Sequence, residues 1–210
     1  MAKKLHQICN SKDLRMRQQL AQEAARLISE EGIKDFHVAK HKAAERLHAP
    51  QTHNLPRNDE IQVALDQYQR IFKADTQPKQ LQQLRQISLK AMRFFQEFEP
   101  RLTGAVLDGT ANEFSEINLH LFTDFSEEVN FFLLNSKIPF EQSSQNMSMP
   151  NGDTIKIPCY HLEIYNVPVA LMVFKHKNLR QTPRSPITGK PMQRFSLNKV
   201  EELIRLASTI

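Results

Sequence analysis

Cysteine is scarce and long apolar runs are missing in this 210-residue sequence, and each shortage excludes a class of protein. Only Cys9 and Cys159 are present, far apart in the chain, so a scaffold built on several disulfides is excluded. The longest apolar runs are short, such as Val167–Phe174, whereas a membrane-spanning helix needs about 20 apolar residues. The first residues also lack the apolar stretch of a secretory signal peptide. We therefore expect a cytoplasmic protein without a membrane span.

Acidic residues are missing from one segment of the second half. The net charge of +5 comes from residues 1–100, which carry 17 Lys or Arg against 12 Asp or Glu, whereas residues 101–210 carry 11 of each. Within that neutral half, Lys175–Arg194 contains seven basic residues, His176 included, and no acidic residue. Such a block is either a solvated loop or a surface that meets an anion, namely a nucleotide, a nucleic acid or an acidic protein.

Helical periodicity dominates the first hundred residues. Apolar residues recur there every three or four positions, between capping residues and the Gly and Pro residues that end helices. The predicted helices are one that Ser11 or Asp13 caps and that runs to Glu31, then Phe36–Leu47, Asp59–Ala74 and Lys79–Phe98.

The second half mixes strands with helices. Asn151-Gly152 and Asn166 predict hairpin turns, and three prolines predict a long loop over residues 178–193. The predicted strands are Gly104–Leu107, Ile117–Phe122, Thr154–Ile164 and Val169–Phe174, and two helices follow Ser126 and Ser196. The fold class is therefore α+β: a helical N-terminal subdomain (residues 1–77) followed by a small mixed β-sheet with flanking helices (residues 78–210).

The stretch from Leu102 to Asp124 is the strongest functional lead. An apolar strand is followed by a Gly109-Thr110 turn and then by a strictly alternating strand. Asn118 and His120 lie two positions apart on that second strand, so both face the same side of the sheet. This layout can hold a phosphate and a metal ion; the alternative interpretation is an exposed strand face with no site.

In this order of elements the chain resembles the nucleotidyltransferase superfamily, the minimal fold shared with polymerase β-like enzymes. That family places a helix before a strand, then a Gly-Ser or similar turn, and, about nine to thirteen residues on, a strand with an Asp-x-Asp pair. A third carboxylate follows on a later strand. Over residues 80–175 the resemblance assigns the turn to Gly109-Thr110, the pair to Asn118 and His120, and the third position to Ala170.

The resemblance implies a protein that binds a nucleoside triphosphate, such as ATP, and transfers a nucleotidyl group to a hydroxyl. Gly109 and Thr110 would hold phosphates, and Asn118, His120 and Glu163 would form the catalytic set around a divalent cation, Mg²⁺ or Mn²⁺. An amide oxygen and an imidazole nitrogen suit Mn²⁺, Zn²⁺ or Fe²⁺ better than Mg²⁺. Three interpretations stay open: catalysis with a changed metal or with added acids, binding of RNA or a protein without catalysis, and a fold retained for protein contacts.

The basic loop Arg180–Arg194 is the second candidate. Its Thr188-Gly189-Lys190 is similar to the end of a phosphate loop, but the upstream glycine is replaced by Arg184, so we reject that motif. Arg184, Lys190 and Arg194 would still lie over the phosphates of a nucleotide if the loop orders on binding. The alternative is a disordered connector.

Three further patterns carry weaker hypotheses. Cys159 and His161 share a strand face, which fits either a nucleophile pair or a half-buried strand. The elements Leu55–Ile61 and Ser185–Met192 resemble those of short bacterial proteins labelled as nucleotidyltransferases or as muramate–alanine ligases; this chain is too short for three ligase domains. Basic residues of the helical part would attract RNA or form a solvated surface. These are Lys34, Lys40, His41, Lys42, Arg46, His48, His53 and Arg57.

Overall fold

The computed structural model describes the backbone of residues 2–207 and the side chains of residues 11–207, so the side chain of Cys9 lies outside the described part. The chain divides into two compact units. The N-terminal unit extends to Asp75 and includes Pro186–Thr188, and the C-terminal unit contains Thr76–Ser185 and the chain from Gly189 onward. No helix within residues 2–207 combines the length and the apolar composition that a membrane span requires.

The N-terminal unit consists of three helices, α1 (Ala2–Glu31), α2 (Phe36–Arg46) and α3 (Asn58–Phe72). Alanines at the contacts allow the helix backbones to approach closely, and the fully buried members of this core are Leu20, Ala24, Ala25, Leu27, Ala39, Ala43 and Ile61. The Asp35 carboxylate caps α2 by accepting a hydrogen bond from the His37 amide. The predicted start of α1 was wrong, because α1 continues through Ser11 and Asp13 to Ala2; no Gly or Pro in that stretch ends a helix.

The C-terminal unit contains the remaining helices and all the strands of the described chain. Its helices are α4 (Gln77–Phe94), α5 (Ala105–Asp108), α6 (Glu127–Asn135) and α7 (Leu197–Ala207). Its strands are β1 (Arg101–Thr103), β2 (Ile117–Phe122), β3 (Phe140–Ser148), β4 (Thr154–Ile164) and β5 (Val167–Phe174). Short 3-10 turns lie at Gln96–Phe98 and His176–Leu179. The predicted α+β class is confirmed: helices precede a mixed sheet that is accompanied by further helices.

The five strands form one sheet in the order β1-β2-β5-β4-β3, in which only β2 and β5 are parallel. Both predicted hairpin turns are confirmed. Tyr165 and Asn166 join β4 to β5 with φ values of 52° and 61°, which a tight two-residue hairpin requires. Gly152, with φ of 90°, allows the turn between β3 and β4.

One face of the sheet forms the core of the unit, and the other face is partly polar. Leu119, Leu171 and Tyr160 belong to the main core, together with Phe95, which directly follows α4, and Val200 of α7. The opposite face, which we call the polar face, contains Thr103, Asn118, His120 and Cys159 and ends in a smaller apolar cluster around Phe122 and Phe174.

Two elements differ from their predictions. Residues 104–107, predicted as a strand, form the start of the short helix α5, because Gly104 adopts φ of 74° and breaks the extended backbone. Strand β3 had no prediction, since most of its residues are polar and exposed and show no apolar alternation. Its nine residues pair with Thr154–Leu162, and this pairing defines the strand.

Candidate functional site

Strands β2 and β5 bring the three positions that the family resemblance assigns to carboxylates together on the polar face, beside β1. Asn118 pairs with Thr103 of β1 on one side and with Ala170 of β5 on the other. His120 lies two residues further along β2 and is paired with Met172. The three positions at which the family resemblance expects carboxylates therefore lie side by side, but they hold an amide, an imidazole and a methyl group.

Glu163 does not join this group, which corrects the predicted catalytic and metal set of Asn118, His120 and Glu163. Glu163 is exposed on β4 and pairs with Pro168, and β5 separates β4 from β2. Two strand spacings amount to about 10 Å, and the register also offsets Glu163 along the strands by two residues from Asn118 and by four from His120, so the three side chains do not surround one cation. Among the described residues, no group of three or more His, Cys, Asp or Glu side chains is placed to hold a metal ion.

The Gly109-Thr110 turn has the wrong polarity for the predicted phosphate contacts. The amides of Gly109 and Thr110 both donate to the Ala105 carbonyl at 3.0 Å, because they close the end of α5. The Gly109 carbonyl accepts a hydrogen bond from the Gln77 side chain at 2.9 Å. The two amides and the Gly109 carbonyl are therefore all hydrogen-bonded within the protein. The predicted binding of phosphates by the backbone N–H groups of this turn is wrong.

Gly104 is the glycine that positions the polar face, and the sequence interpretation missed it. It has φ of 74° and ψ of −160°, and a Cβ atom at this position would lie 3.2 Å from Asn118 Nδ2. Gly109 precedes Asn118 by nine residues and Gly104 precedes it by fourteen, so the spacing of nine to thirteen residues used in the resemblance favoured Gly109. The spacing therefore held no signal for Gly104, whose position became clear only from its contact with Asn118.

Replacing Gly104 by alanine is expected to lower the free energy of unfolding of the C-terminal unit by about 1–3 kcal/mol, because only glycine adopts this backbone conformation without strain. Chemical denaturation of the purified protein measures the change. Gly189→Ala is the control, since Gly189 also has positive φ but has open space around its Cβ position. Equal losses in the two variants would show that the contact with Asn118 contributes nothing.

The half-buried Arg194 pairs with the fully buried His120 on the polar face. Arg194 Nε donates to His120 Nδ1 at 2.8 Å, and Arg194 Nη1 donates to the Asn178 carbonyl at 2.8 Å. The guanidinium lies 5.0 Å from the ring centre of Phe122 and 4.8 Å from that of Phe174. These two rings stabilise the cation by cation–π attraction. We refer to Arg194, His120, Phe122 and Phe174 as the Arg194 site.

The hydrogen bond determines the protonation state of the imidazole. Since arginine only donates, His120 Nδ1 is the acceptor, and the proton of the neutral ring lies on Nε2. Burial, together with the charge of Arg194, keeps the pKa of His120 well below its ordinary value. Burial, and secondarily the charge of Arg101, lowers the pKa of Arg194 to about 10, so the guanidinium stays charged at neutral pH.

Three shielded polar atoms of the polar face and of Arg194 lack partners. Among the described residues, Thr103 Oγ1, His120 Nε2 and Arg194 Nη2 are shielded from solvent and make no hydrogen bond. All three can donate, and no carboxylate of the described chain lies within ion-pair distance of Arg194. The polar face therefore meets a half-buried cation that carbonyl oxygens and rings surround without a counter-ion.

Arg184 and Lys190, which were predicted to bind phosphates, make hydrogen bonds within their own loop and to the turn between β3 and β4. Arg184 donates to the carbonyls of Gly189 and Pro150 at 3.0 and 3.2 Å, which holds the turn closed against the β3–β4 hairpin. Lys190 is exposed, and its carbonyl accepts a hydrogen bond from the Ser185 amide. The Arg184 guanidinium is thus already engaged by two backbone carbonyls and lies over no part of the Arg194 site.

Cys159 lacks the properties of a nucleophile. Burial raises the pKa of its thiol to about 11, so the thiolate is scarce at neutral pH. His161 is exposed and lies 3.0 Å from Ser143 Oγ, and no hydrogen bond joins it to Cys159 among the described residues. The structure therefore favours the second interpretation of Cys159 and His161, in which they are residues of a half-buried strand and not a nucleophile pair.

Several basic residues of the N-terminal unit are engaged within that unit. Lys40 donates to the Pro56 carbonyl and to Asn58 Oδ1, Lys42 forms an ion pair with Glu31, and Arg46 pairs with Glu31 as well. These contacts reduce the charge that this surface offers to RNA.

Comparison of the chain with protein-family models, with curated proteins and with solved structures found no match.

Proposed function

We propose that the C-terminal unit is a nucleotidyltransferase-like module that binds the phosphate groups of a nucleotide without a metal ion and transfers no nucleotidyl group. The observation that carries this proposal is the Arg194–His120 pair. A guanidinium cation lies beside the strand positions at which the resemblance expects carboxylates that bind metal ions.

The order and register of the elements support the resemblance. Helix α4 is followed by β1, by a glycine at the start of α5, and by β2. The parallel strand β5 then aligns Ala170 with Asn118. This arrangement provides the backbone of such a site without its acidic side chains.

The side chains argue against transfer. Mg²⁺-dependent transfer needs hard anionic oxygens to clamp the ions that neutralise the triphosphate. Asn118 offers one neutral oxygen, Ala170 offers none, and the acceptor nitrogen of His120 already receives the Arg194 hydrogen bond. These residues therefore do not fit a divalent cation, and they give no basis for a catalytic step that uses such a cation.

The same side chains suit an anion. A guanidinium binds phosphate oxygens through paired N–H groups and remains charged where a lysine would lose its proton. Arg194 Nη2, His120 Nε2 and the Thr103 hydroxyl are donors without acceptors, so a phosphate oxygen would satisfy groups whose burial now costs free energy. Because these atoms are shielded from solvent, binding requires a local opening of the segment that carries Arg194.

The test is stabilisation of the protein by ATP, measured by thermal unfolding with EDTA and again with Mg²⁺. We expect the same stabilisation in both conditions, about 2.7 kcal/mol at a ligand concentration 100 times the Kd. Arg194→Gln should weaken binding by roughly tenfold to a hundredfold, since a hydrogen bond to a charged group contributes about 1.5–3 kcal/mol.

The matched control is Arg93→Gln, which removes an exposed arginine that pairs with Glu201. It should bind ATP like the parent protein, and circular dichroism should verify that both variants are folded. Stabilisation that needs Mg²⁺ or Mn²⁺ and disappears in EDTA would contradict the proposal, as would no stabilisation by ATP. A shift only with RNA, steeply dependent on salt, would instead favour an RNA-binding module.

A further inference from the structure

Strands β4 and β5 separate before either strand ends. They pair from Ile164 and Val167 only as far as Cys159 and Met172. Beyond that pair, Thr154–Pro158 of β4 continue to pair with β3, whereas β5 continues beside β2 to Phe174. The sheet is therefore split, and we call the space between Thr154–Pro158 and Phe174-Lys175 the β4–β5 slot.

A cavity of about 610 Å³ occupies this slot. Its apolar lining comes from both diverging strands and from the hairpin turn, namely Met149, Ile155, Ile157, Val173 and Phe174. Its basic lining consists of Lys156, Lys175 and Lys177. A cavity with an apolar floor and a few polar groups is the usual form of a binding site.

The edge of β4 that faces the slot is an unpaired strand edge. Within the described chain, residues 154–158 pair with β3 but make no backbone hydrogen bond to β5. Apart from the pairing with β3, their backbone receives only a weak contact among the described residues, from the Cys159 thiol to the Ile157 carbonyl. Pro158 has no N–H group, which a strand tolerates where its partner is missing. An unpaired edge of this kind is a template for a further strand.

Asn178 presents a polar group at the slot. The residue is 6% exposed and lines the cavity, and its side-chain amide takes part in no hydrogen bond of the described chain. Unlike the shielded atoms of Thr103 and His120, the amide atoms of Asn178 keep some exposure, so a ligand in the cavity can reach them. A side-chain amide offers one donor and one acceptor side, which is the complement of a peptide group.

The charges of the slot indicate the chemistry of that partner. None of the three lysines forms an ion pair among the described residues. Two carboxylates also line the slot: Asp153 accepts from the Asn151 side chain, and Asp124 accepts from the His176 amide. Both keep their charge, because these donors are neutral, so the lining has three positive charges against two negative ones. This net positive charge favours acidic residues.

We infer that the β4–β5 slot binds an extended acidic peptide, which adds a strand to the free edge of β4. Alternate side chains of that strand would lie on the apolar floor, and the others would meet the lysines. Asn178 would hydrogen-bond a peptide group of the added strand. This inference does not depend on the proposed nucleotide site: Phe174 borders both, but the lysines, the Asn178 amide and the free edge of β4 carry the inference, and none of them belongs to the Arg194 site.

The test uses two capped six-residue peptides that carry a fluorophore, one of alternating Glu and Val and one of alternating Lys and Val. Fluorescence anisotropy with the full chain should show at least tenfold tighter binding of the Glu peptide. Hydrogen exchange should show protection of backbone amides within residues 154–158. A Glu peptide with N-methylated backbone groups on one edge should bind at least tenfold more weakly, since it cannot pair with β4 through that edge.

Two variants test the side chains, and one pair of substitutions is the control. Asn178→Ala and the double variant Lys156→Gln with Lys177→Gln should each weaken binding of the Glu peptide about tenfold or more. Lys90→Gln with Lys199→Gln changes the net charge equally but at residues that lie over Tyr165 and Phe195. This control should bind like the parent protein.

Three outcomes would overturn the inference: no binding of the Glu peptide, equal binding of both peptides, or unchanged binding in the slot variants. A fourth is protection of residues 154–158 that appears on concentration of the protein alone together with a doubled mass in ultracentrifugation. That result would assign the edge to a second copy of this chain.

Discussion

Replacing Phe174 by alanine is expected to lower the free energy of unfolding of the C-terminal unit by about 3–5 kcal/mol, the usual cost of removing a buried phenylalanine ring. The Phe174 ring is 1% exposed and lies 4.6 Å from the His120 ring and 4.8 Å from the Arg194 guanidinium. The substitution therefore leaves a cavity and also removes one of the two rings that stabilise a half-buried cation. Chemical denaturation, with hydrogen exchange at β2 and β5, measures the loss.

The control for this prediction is Phe131→Ala on α6. Phe131 is 62% exposed, so its removal should change the free energy of unfolding by about 0.5 kcal/mol or less. A loss at Phe174 no larger than the loss at Phe131 would mean that the ring is not packed in the folded protein.

The second large effect is a loss of stability in mild acid, caused by His120. Its pKa is depressed in the folded protein by burial and by the charge of Arg194, whereas in the unfolded chain it takes the ordinary value of about 6.5. Below that pH the unfolded chain binds a proton that the folded protein refuses. The free energy of unfolding should therefore fall as the pH decreases, by about 1.4 kcal/mol for each pH unit until the depressed pKa is reached.

Denaturation at a series of pH values between 7.5 and 5 measures this slope. His120→Gln provides the comparison, because its side-chain oxygen can accept the hydrogen bond from Arg194 Nε but does not titrate. The slope of this variant should be smaller, whatever its stability at neutral pH. His161→Gln, at an exposed histidine, should keep the slope of the parent protein. Equal slopes for all three proteins would refute the assignment to His120.

The helices and hairpins were predictable because their signals are local. Tyr165 and Asn166 adopt positive φ in a two-residue turn, and α2 is capped by an aspartate one residue before its predicted start. The alternation of Ile117–Phe122 also placed Asn118 and His120 on one face, since this depends only on the period of a strand. Strand β3 escaped prediction because its polar residues carry no such pattern.

The candidate site was predictable only in part. Glu163 was assigned on the assumption that neighbouring segments of sequence are neighbours in the sheet, but β5 lies between β4 and β2. Gly109 was preferred to Gly104 because its spacing to Asn118, nine residues, agreed with the resemblance, whereas that of Gly104 is fourteen. Arg194 was named only as one of three basic residues of a loop, and its contact with His120 had no local signal, since the two residues are 74 positions apart in the chain.

Local sequence was enough to predict the class of fold, the helical first part, the hairpin turns and the shared face of Asn118 and His120, because each follows from backbone preferences within a few residues. Which side chains come into contact depends on the tertiary structure. It buried His120 against Arg194, kept Glu163 apart from both, and opened the slot between β4 and β5. Those outcomes depend on strand order and register, which are set by packing between distant segments and not by local preference.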